Sequence, residues 1–550
     1  MFQPILFSII KRYHKQWFLS DLSAGIIVGI VALPLAIAFS IASGVPPEMG
    51  LITAVVLGFL VSFFGGSRVQ IGGPSGALIV VIYGIMQQFG LQGVLIAAIM
   101  AGIILIIMGL IRAGTVIQFM PYPIVVGFTS GIALIIFTGQ LQDFFGIPNQ
   151  DVPSEVIGKW IFYFRNAASI KPATALIGLL TMLITLYWHK VYRKIPGSLI
   201  GIITATALTV FLELDVETIG SRFGGFSASF QLISFSGVSV EMLQQLFVPA
   251  FTMAMLVAIE SLLSAIVADG ATGYRHRPNT ELIAQGIANI AAPIVGGMGG
   301  SGALAKTMTN IRNGGKTPVA GMVHAIVMLL LMLFLANLAK LIPLSALAGV
   351  LVVVAYNMSE WRSFKNILKS ARGEAAVLLT TFLLTIFIGL SFALPFGIIL
   401  AMVLFINRVM ETTDIAVLKH EVEDEQSHVS DGFETLIIPK GVEVFQIRGP
   451  FFFGIANKFE EAEKEIHEVP LVRIIRMRRV PFIDSTGLRN LRSFVERSKK
   501  HNTTIILSGV IPKAMEQIKK EGLLAEIGDA NICENIEKAL DRSRELLQKK

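Results

Sequence analysis

Glu260 is the only charged residue between Phe247 and Ala268, in Ala258-Ile259-Glu260-Ser261-Leu262-Leu263-Ser264. An ionised carboxylate is expensive in so apolar a run, so such a residue usually faces a cavity and has a function there. The cost of the charged form suits a proton carrier. The plainer alternative is a structural acid bonded to a neighbouring helix. Ser264 lies one helical turn from Glu260 and shares its face. Two look-alike stretches carry the other chemistry: Gly72-Gly73-Pro74-Ser75-Gly76-Ala77 and Gly299-Gly300-Ser301-Gly302-Ala303. Gly and Pro interrupt helices in such apolar surroundings. A helix that begins there leaves its first N–H groups unpaired. Those groups, at the positive end of the helix dipole, form a site for an anion. Small residues allow close approach of a solute to the backbone. They would equally serve as packing glycines between helices. Their occurrence in both halves of one chain favours the binding reading.

Lys306 follows Gly302 by four residues, a spacing that puts both on one helix face. It adds positive potential to the second stretch or, equally, snorkels to an interface or pairs with an acid. Phe39, in a first apolar segment that contains Pro34, lines a pocket or simply packs. The pair Pro46-Pro47 is read as the end of that segment. Near the C-terminus, Phe482-Ile483-Asp484-Ser485-Thr486-Gly487 runs off a strand into a helix. Asp484 or Ser485 caps that helix, and an exposed serine there is also a candidate phosphorylation point. No nucleophile–base arrangement is evident, the eight histidines lack metal-ligand spacing, and nothing calls for a cofactor. The chain is therefore not read as an enzyme.

The elements that position these residues follow from composition. Of 550 residues, 53% are hydrophobic and only 15% charged, against about 25% charged in soluble domains. The single cysteine, Cys533, rules out an intramolecular disulfide. The net charge of +7 is scattered at the ends of apolar spans, which argues against a nucleic-acid partner. Residues 1–20 form a basic cytoplasmic lead-in. Residues 21–410 hold about fourteen apolar segments, several shorter than the roughly twenty residues of a full span. Those beginning at Ser75 and Gly302 are among the short ones, as half-helices should be. Basic residues such as Arg68, Arg112, Arg275, Arg277, Arg312 and Lys316 fall at alternate loops, which puts both termini in the cytoplasm. The protein is expected in a plasma or bacterial inner membrane. Residues 411–434 read as a polar linker. From a first strand near 435–438 to residue 550, strands and helices alternate as a small α/β domain, with a helix over 456–467.

The motifs Leu33-Pro34, Val45-Pro46-Pro47, Gly73-Pro74-Ser75-Gly76, Ala258 to Ser264, and Asn310-Ile311-Arg312-Asn313-Gly314-Gly315-Lys316-Thr317-Pro318 together resemble the SulP anion transporters. The segment Asp484-Ser485-Thr486-Gly487 resembles a STAS domain. The resemblance implies an α-helical polytopic membrane protein with seven-plus-seven inverted repeats, a core and a gate domain, and a homodimer. It implies a small inorganic or organic anion held between two half-helices. Phe39, Ser75, Gly76 and Ala77 would line one side. Glu260, Ser264, Gly302, Ala303, Leu304 and Ala305 would line the other. The implied activity is secondary transport of sulfate, bicarbonate or dicarboxylates, with H+ as coupling ion, or else uncoupled exchange or a channel. A membrane-anchored signalling protein with a cytoplasmic partner on the STAS domain is the reading from a different class. Many relatives carry arginine where Lys306 stands; the lysine keeps the charge but loses the fork geometry. Sodium-coupled bicarbonate relatives tend to carry aspartate at the Glu260 position and a hydroxyl near Leu304. Glutamate and leucine here argue against a sodium site.

Overall fold

The computed structural model describes residues 2–117, 120–148, 152–153, 155–192, 196–224, 239–418, 438–453 and 469–548. The chain divides into two units, Met1–Ala401 and Met402–Lys550, each considered by itself. In chain order the first unit contains α1 (Ile5–Ile9), α2 (Lys15–Ala42), α3 (Pro47–Phe64), β1 (Gly72–Gly73), α4 (Ile79–Leu110), α5 (Gly114–Ile117) and α6 (Tyr122–Phe145). Next come α7 (Val156–Arg165), α8 (Pro172–Val191), α9 (Gly197–Phe211), α10 (Ile219–Phe223), α11 (Val240–Thr272) and α12 (Pro278–Ile294). Then follow β2 (Ser301–Gly302), α13 (Leu304–Arg312), α14 (Val319–Ala339), α15 (Leu344–Met358), α16 (Trp361–Leu368), α17 (Arg372–Phe387) and α18 (Leu390–Thr412), whose last residues belong to the second unit.

Seven helical stretches among the described residues are long and apolar enough to cross a membrane, and three shorter ones are similarly apolar. Within α4, Gly90 leaves the helix with φ 65°, which splits it into a short first piece and a full-length second one. Only glycine adopts that backbone routinely. Pro46 and Pro47 do not act as the terminator that the sequence suggests: α2 ends at Ala42, and Pro47 opens α3 at its first position, where its missing N–H costs nothing.

The helices pack in two groups. Helices α2, α3, α4, α11, α12, α13 and α14 form one, and α6, α8, α9, α15 and α17 the other. Small residues set the closeness of the first. An added methyl at Gly102 would meet Gly286 O at 2.7 Å, and one at Gly286 would meet Gly102 O at 2.6 Å. Such contacts between small residues are the usual means of helix association in lipid. Between the interrupted stretches, β1 and β2 pair antiparallel, Gly72 with Gly302 and Gly73 with Ser301. The two glycine stretches are thus a miniature crossed ribbon from which α4 and α13 depart in sequence.

Among the described residues the second unit carries a five-stranded sheet in the order β3 (Asp414–Leu418), β4 (Val442–Arg448), β5 (Val472–Arg479), β6 (Thr504–Ser508) and β7 (Ile532–Cys533). Strand β3 is antiparallel to β4; the other neighbours are parallel. Alternation along the strands gives two cores. Phe445, Ile475 and Leu507 pack with α19 (Ser485–Lys500), α20 (Pro512–Lys520) and α21 (Leu523–Ile527). Val444, Ile474 and Ile506 pack with α22 (Ile536–Gln548). The linker expected over 411–434 contains β3 at its start, an edge strand whose register is set by β4. The helix expected over 456–467 and nearly all of the strand near 435–438 lie outside the described residues.

Candidate functional site

Glu260 joins the two interrupted stretches. Its Oε2 accepts hydrogen bonds from Ser75 Oγ at 2.6 Å and from Ser301 Oγ at 2.7 Å. The carboxylate is partly buried, and both serines are buried. One oxygen on α11 thus bridges the start of each half-helix. Ser301 is absent from the residues that the sequence marks as site candidates, because a serine in a glycine-rich run has little to distinguish it. Its place at the position after the second glycine pair, matching Ser75 one residue beyond the first, is the trace that was available.

Lys306 is 3% exposed, and its Nζ donates to Pro74 O at 3.3 Å. A methyl on Gly73 would lie 2.6 Å from this ammonium. The lysine of the second stretch therefore sits over the first. The expected spacing from Gly302 does not operate, because Gly302 lies in β2 and α13 begins only at Leu304. No ion pair within 4.0 Å joins Lys306 to Glu260 among the described residues. The lysine is not snorkelling, since it is buried and directed at the ribbon.

The N–H groups of the second stretch are largely committed. Gly302 N donates to Ser261 Oγ at 2.9 Å, and Ala303 N to Ile71 O at 2.9 Å. At the head of α13 the groups left for a ligand are those of Leu304, Ala305 and Lys306. Leu304 is half-buried and Ala305 exposed, so the helix start is open on that side. On the first stretch, Ser75, Gly76 and Ala77 are buried and precede α4, which starts at Ile79. Their N–H groups face the same unpaired condition that any helix start imposes. Ser264 is fully buried and bonds Thr307 Oγ1 at 3.3 Å, while Thr307 Oγ1 accepts from Ile71 N at 3.1 Å. Ser264 thus secures α13 against the ribbon. Phe39 is buried on α2 and takes no part in this network.

The frame is dense with buried polar groups. Gln70 Nε2 donates to Ser261 O, Asn289 clasps Gly300 through both its amide atoms, and Asn310 Nδ2 donates to Val69 O. These bonds satisfy buried irregular backbone that lipid could not. Across from Gly76 stand Met358 Sδ and Ile136 Cδ1, at 2.8 and 3.9 Å from where a methyl on that glycine would be. They belong to α15 and α6, so the second helix group borders the site. A separate apolar cavity, lined by Leu134 and Phe137 of α6, Tyr187 of α8, Tyr356 of α15 and Trp361 of α16, contains none of the residues above.

In the second unit, Asp484 is the helix cap: its Oδ1 accepts from Gly487 N at 2.7 Å and its Oδ2 from Phe453 N at 3.2 Å. Ser485 follows as an exposed first helical residue.

Residues 18–381 match the model of the sulfate permease family, and residues 435–539 match the STAS domain. YvdB of Bacillus subtilis is 37% identical over 524 residues, 94% of this chain and 96% of its own length. The bicarbonate transporter BicA of Synechocystis is 29% identical over 545 residues, covering 97% and 95%. The solved transmembrane domain of a cyanobacterial BicA covers 71% of this chain and 98% of its own, at 30% identity and a TM-score of 0.62. The murine Slc26a9 anion transporter, solved in the inward-facing state, shares the fold over 98% of this chain and 94% of its own, with a TM-score of 0.86 at 18% identity. The chain is a multi-pass integral membrane protein with a C-terminal STAS domain, and it belongs to the sulfate permease family.

Proposed function

We propose that this chain is a secondary active transporter of small oxyanions or carboxylates, of the sulfate, bicarbonate or dicarboxylate class, coupled to protons. The observation that carries the reading is the single carboxylate of Glu260 bonded to both half-helix starts, beside the buried ammonium of Lys306. An anion entering between Ser75–Ala77 and Leu304–Lys306 meets backbone donors, two helix dipoles and one lysine. Such a pocket selects charge and size. Entry of the anion competes with Glu260 for the Ser75 and Ser301 hydroxyls. A proton on Glu260 relieves that competition and removes one negative charge, so anion and proton enter together. The first helix group then moves against the second to expose the site on the opposite side. Basic residues at alternate loops support both termini in the cytoplasm, and the protein works as a homodimer, with the STAS domain open to a cytoplasmic partner.

One observation favours a second reading. Two hydroxyl donors on one oxygen satisfy a carboxylate that keeps its charge, which suits uncoupled exchange. Purified protein in liposomes, tested with labelled sulfate, bicarbonate, chloride and dicarboxylates under imposed pH gradients, decides between the two. Proton coupling expects Glu260→Gln to lose gradient-driven uptake, by tenfold or more given the usual weight of general acid–base groups (roughly 10²–10⁴), while exchange between equal pools survives. Unchanged gradient dependence in the variant removes Glu260 from the coupling role, and a wild type that moves anions without regard to the gradient is an uncoupled exchanger. If none of these anions moves in the wild type, the transport reading is wrong.

A further inference from the structure

Away from the ribbon, Arg68 leaves the end of α3 and stacks over the ring of Tyr274, 3.7 Å from its centroid, with Trp17 at 5.6 Å on α2. These residues, with Ile5, Ser8, Ile9 and Arg275, line a cavity of about 400 Å³. Its walls are fixed by hydrogen bonds. Glu281 accepts from Gly66 N and Ser67 N, which holds the loop that carries Arg68. Arg277 N donates to Gly66 O, and Ile5 N to Gly65 O, so α1 and the loop after α11 are stitched to the same turn. Arg277 itself is committed to Gln3 O and Ser8 Oγ.

The nearby carboxylates are also committed. Asp269 is bonded to His276, and Glu281 to the loop and to Gln285. Among the described residues no carboxylate pairs with Arg68 or Arg275, and the Arg68 Nε is buried without a hydrogen-bond partner. Two guanidinium groups thus stand over an apolar floor with no counter-charge. Beside them lies an apolar collar. Phe7, Ile10, Phe18 and Leu19 are 53%, 60%, 44% and 56% exposed, and Phe2 and Phe7 pack edgewise or tilted on Phe64 and Phe63. Exposed aromatics and aliphatics of this kind, with a tryptophan at the start of a span, belong at the level where acyl chains meet head groups.

We infer that this pocket binds the phosphate of an anionic phospholipid. Arg68 and Arg275 receive the phosphate, Ser8 and the ring edges bound it, and the collar accommodates the acyl chains. A free phosphate would use the arginines but leave the collar without a purpose. Basic pockets at the ends of membrane helices recognise lipid head groups through this combination. The site shares no residue with the ribbon, so its occupancy stands or falls independently of the transport reading. Because the phosphate would tie α1, α2, α3 and the loop before α12 together, it acts as a clip on the first helix group.

The test uses the full chain in nanodiscs of phosphatidylcholine with or without phosphatidylglycerol. Native mass spectrometry then counts the lipids retained, and the thermal midpoint is recorded in parallel. The expected result is retained phosphatidylglycerol with a preference of roughly tenfold or more, for two arginines near a membrane surface. Arg68→Gln with Arg275→Gln should bring that preference close to one. Arg275→Gln alone should lower it, and since Arg275 is exposed and pairs with no carboxylate among the described residues, its midpoint in phosphatidylcholine should match wild type. Arg165→Gln, on α7, should change nothing. An undiminished preference in the double variant, or in Arg275→Gln with the double variant unfolded, overturns the assignment. So does equal protection of the wild type by inorganic phosphate in phosphatidylcholine alone, which would give the pocket to a soluble anion.

Discussion

A methyl group at Gly302 would stand 1.6 Å from Gln70 Nε2 and 3.2 Å from Ser261 Cα. Neither neighbour is free to move, since Gln70 donates to Ser261 O and Ser261 accepts from Gly302 itself. Gly302→Ala is therefore expected to cost about 1–3 kcal/mol, the usual range for overpacking, and to lose most transport in liposomes at equal protein. Gly270→Ala is the control: nothing lies within 4 Å of the added methyl, so its midpoint and flux should match wild type. A normal midpoint and flux in Gly302→Ala would mean that the ribbon is looser than its hydrogen bonds imply. At this scale the sequence is most informative where physics is least forgiving. Glu260 stands out because a charge in an apolar run needs a reason wherever the fold puts it. Lys306 is legible as a candidate, but its real partner, Pro74 O, is 232 residues away in sequence and depends on the crossing of two stretches. Ser301 and Ser261 carry hydrogen bonds that no local pattern announces.

Helix starts and loop corners explain the next tier. Asp484, not Ser485, holds the first turn of α19. Asp484→Ala should lower stability by about 1 kcal/mol, the typical value of an N-cap, read as faster amide exchange in α19 of the full chain. Ser485→Ala should leave that exchange unchanged, which keeps Ser485 available as a proposed phosphorylation point. If the serine variant frays the helix, it is a structural residue instead. Between α9 and α11, Arg222 forms a bidentate pair with Glu217 and reaches Asp143 at 2.8 Å. The Arg222 hydrogen bonds hold the Glu217 carboxyl below its ordinary value of 4.5. A carboxyl lowered on folding contributes stability that is present above its unfolded value and lost as pH falls through the folded one. The thermal midpoint should therefore drop below about pH 4.5 partly through this group, and Glu217→Gln should flatten that part of the profile. The effect should be small, because the Glu217 side chain is 50% exposed and screened by solvent. An identical acid slope in the variant removes Glu217 from the account. Element boundaries show where pattern reading stops. The short segments flanking the glycine stretches are visible as interruptions, and Gly90 divides α4 where the apolar run pauses. The strands β1 and β2 are two residues each and exist only through each other, so neither has a periodicity to detect. Strand β3 sits in a stretch read as linker because its partner β4 begins 24 residues after β3 ends.

At the scale of the molecule, the transmembrane unit is two helix groups with the ribbon near their border. The sequence offers this duality only through the resemblance to the SulP transporters, since both glycine stretches lead into helices of the first group. The assignment of each helix to a group needed the packing, since α2 and α14, or α6 and α17, have similar apolar composition. The border is testable at one contact. Gly76, at the first half-helix start, faces Met358 of α15, whose Sδ lies 2.8 Å from the position of an added methyl. In the proposed cycle the two groups must approach and separate at this point. Gly76→Ala therefore places a methyl where the two groups close, and should reduce flux by at least tenfold, or about 1.4 kcal/mol. Met358→Ala alone should have a smaller effect, because it removes bulk without touching the anion's donors. Combined, the two substitutions should recover most of the flux that Gly76→Ala loses, since the clash has then been removed. That non-additivity is the signature of direct contact. If the double variant is as inactive as Gly76→Ala, the methyl acts on the anion's own donors and the border contact is incidental. If the single variant transports normally, closure does not bring Met358 onto Gly76 during the cycle, and the moving surface lies elsewhere between the groups.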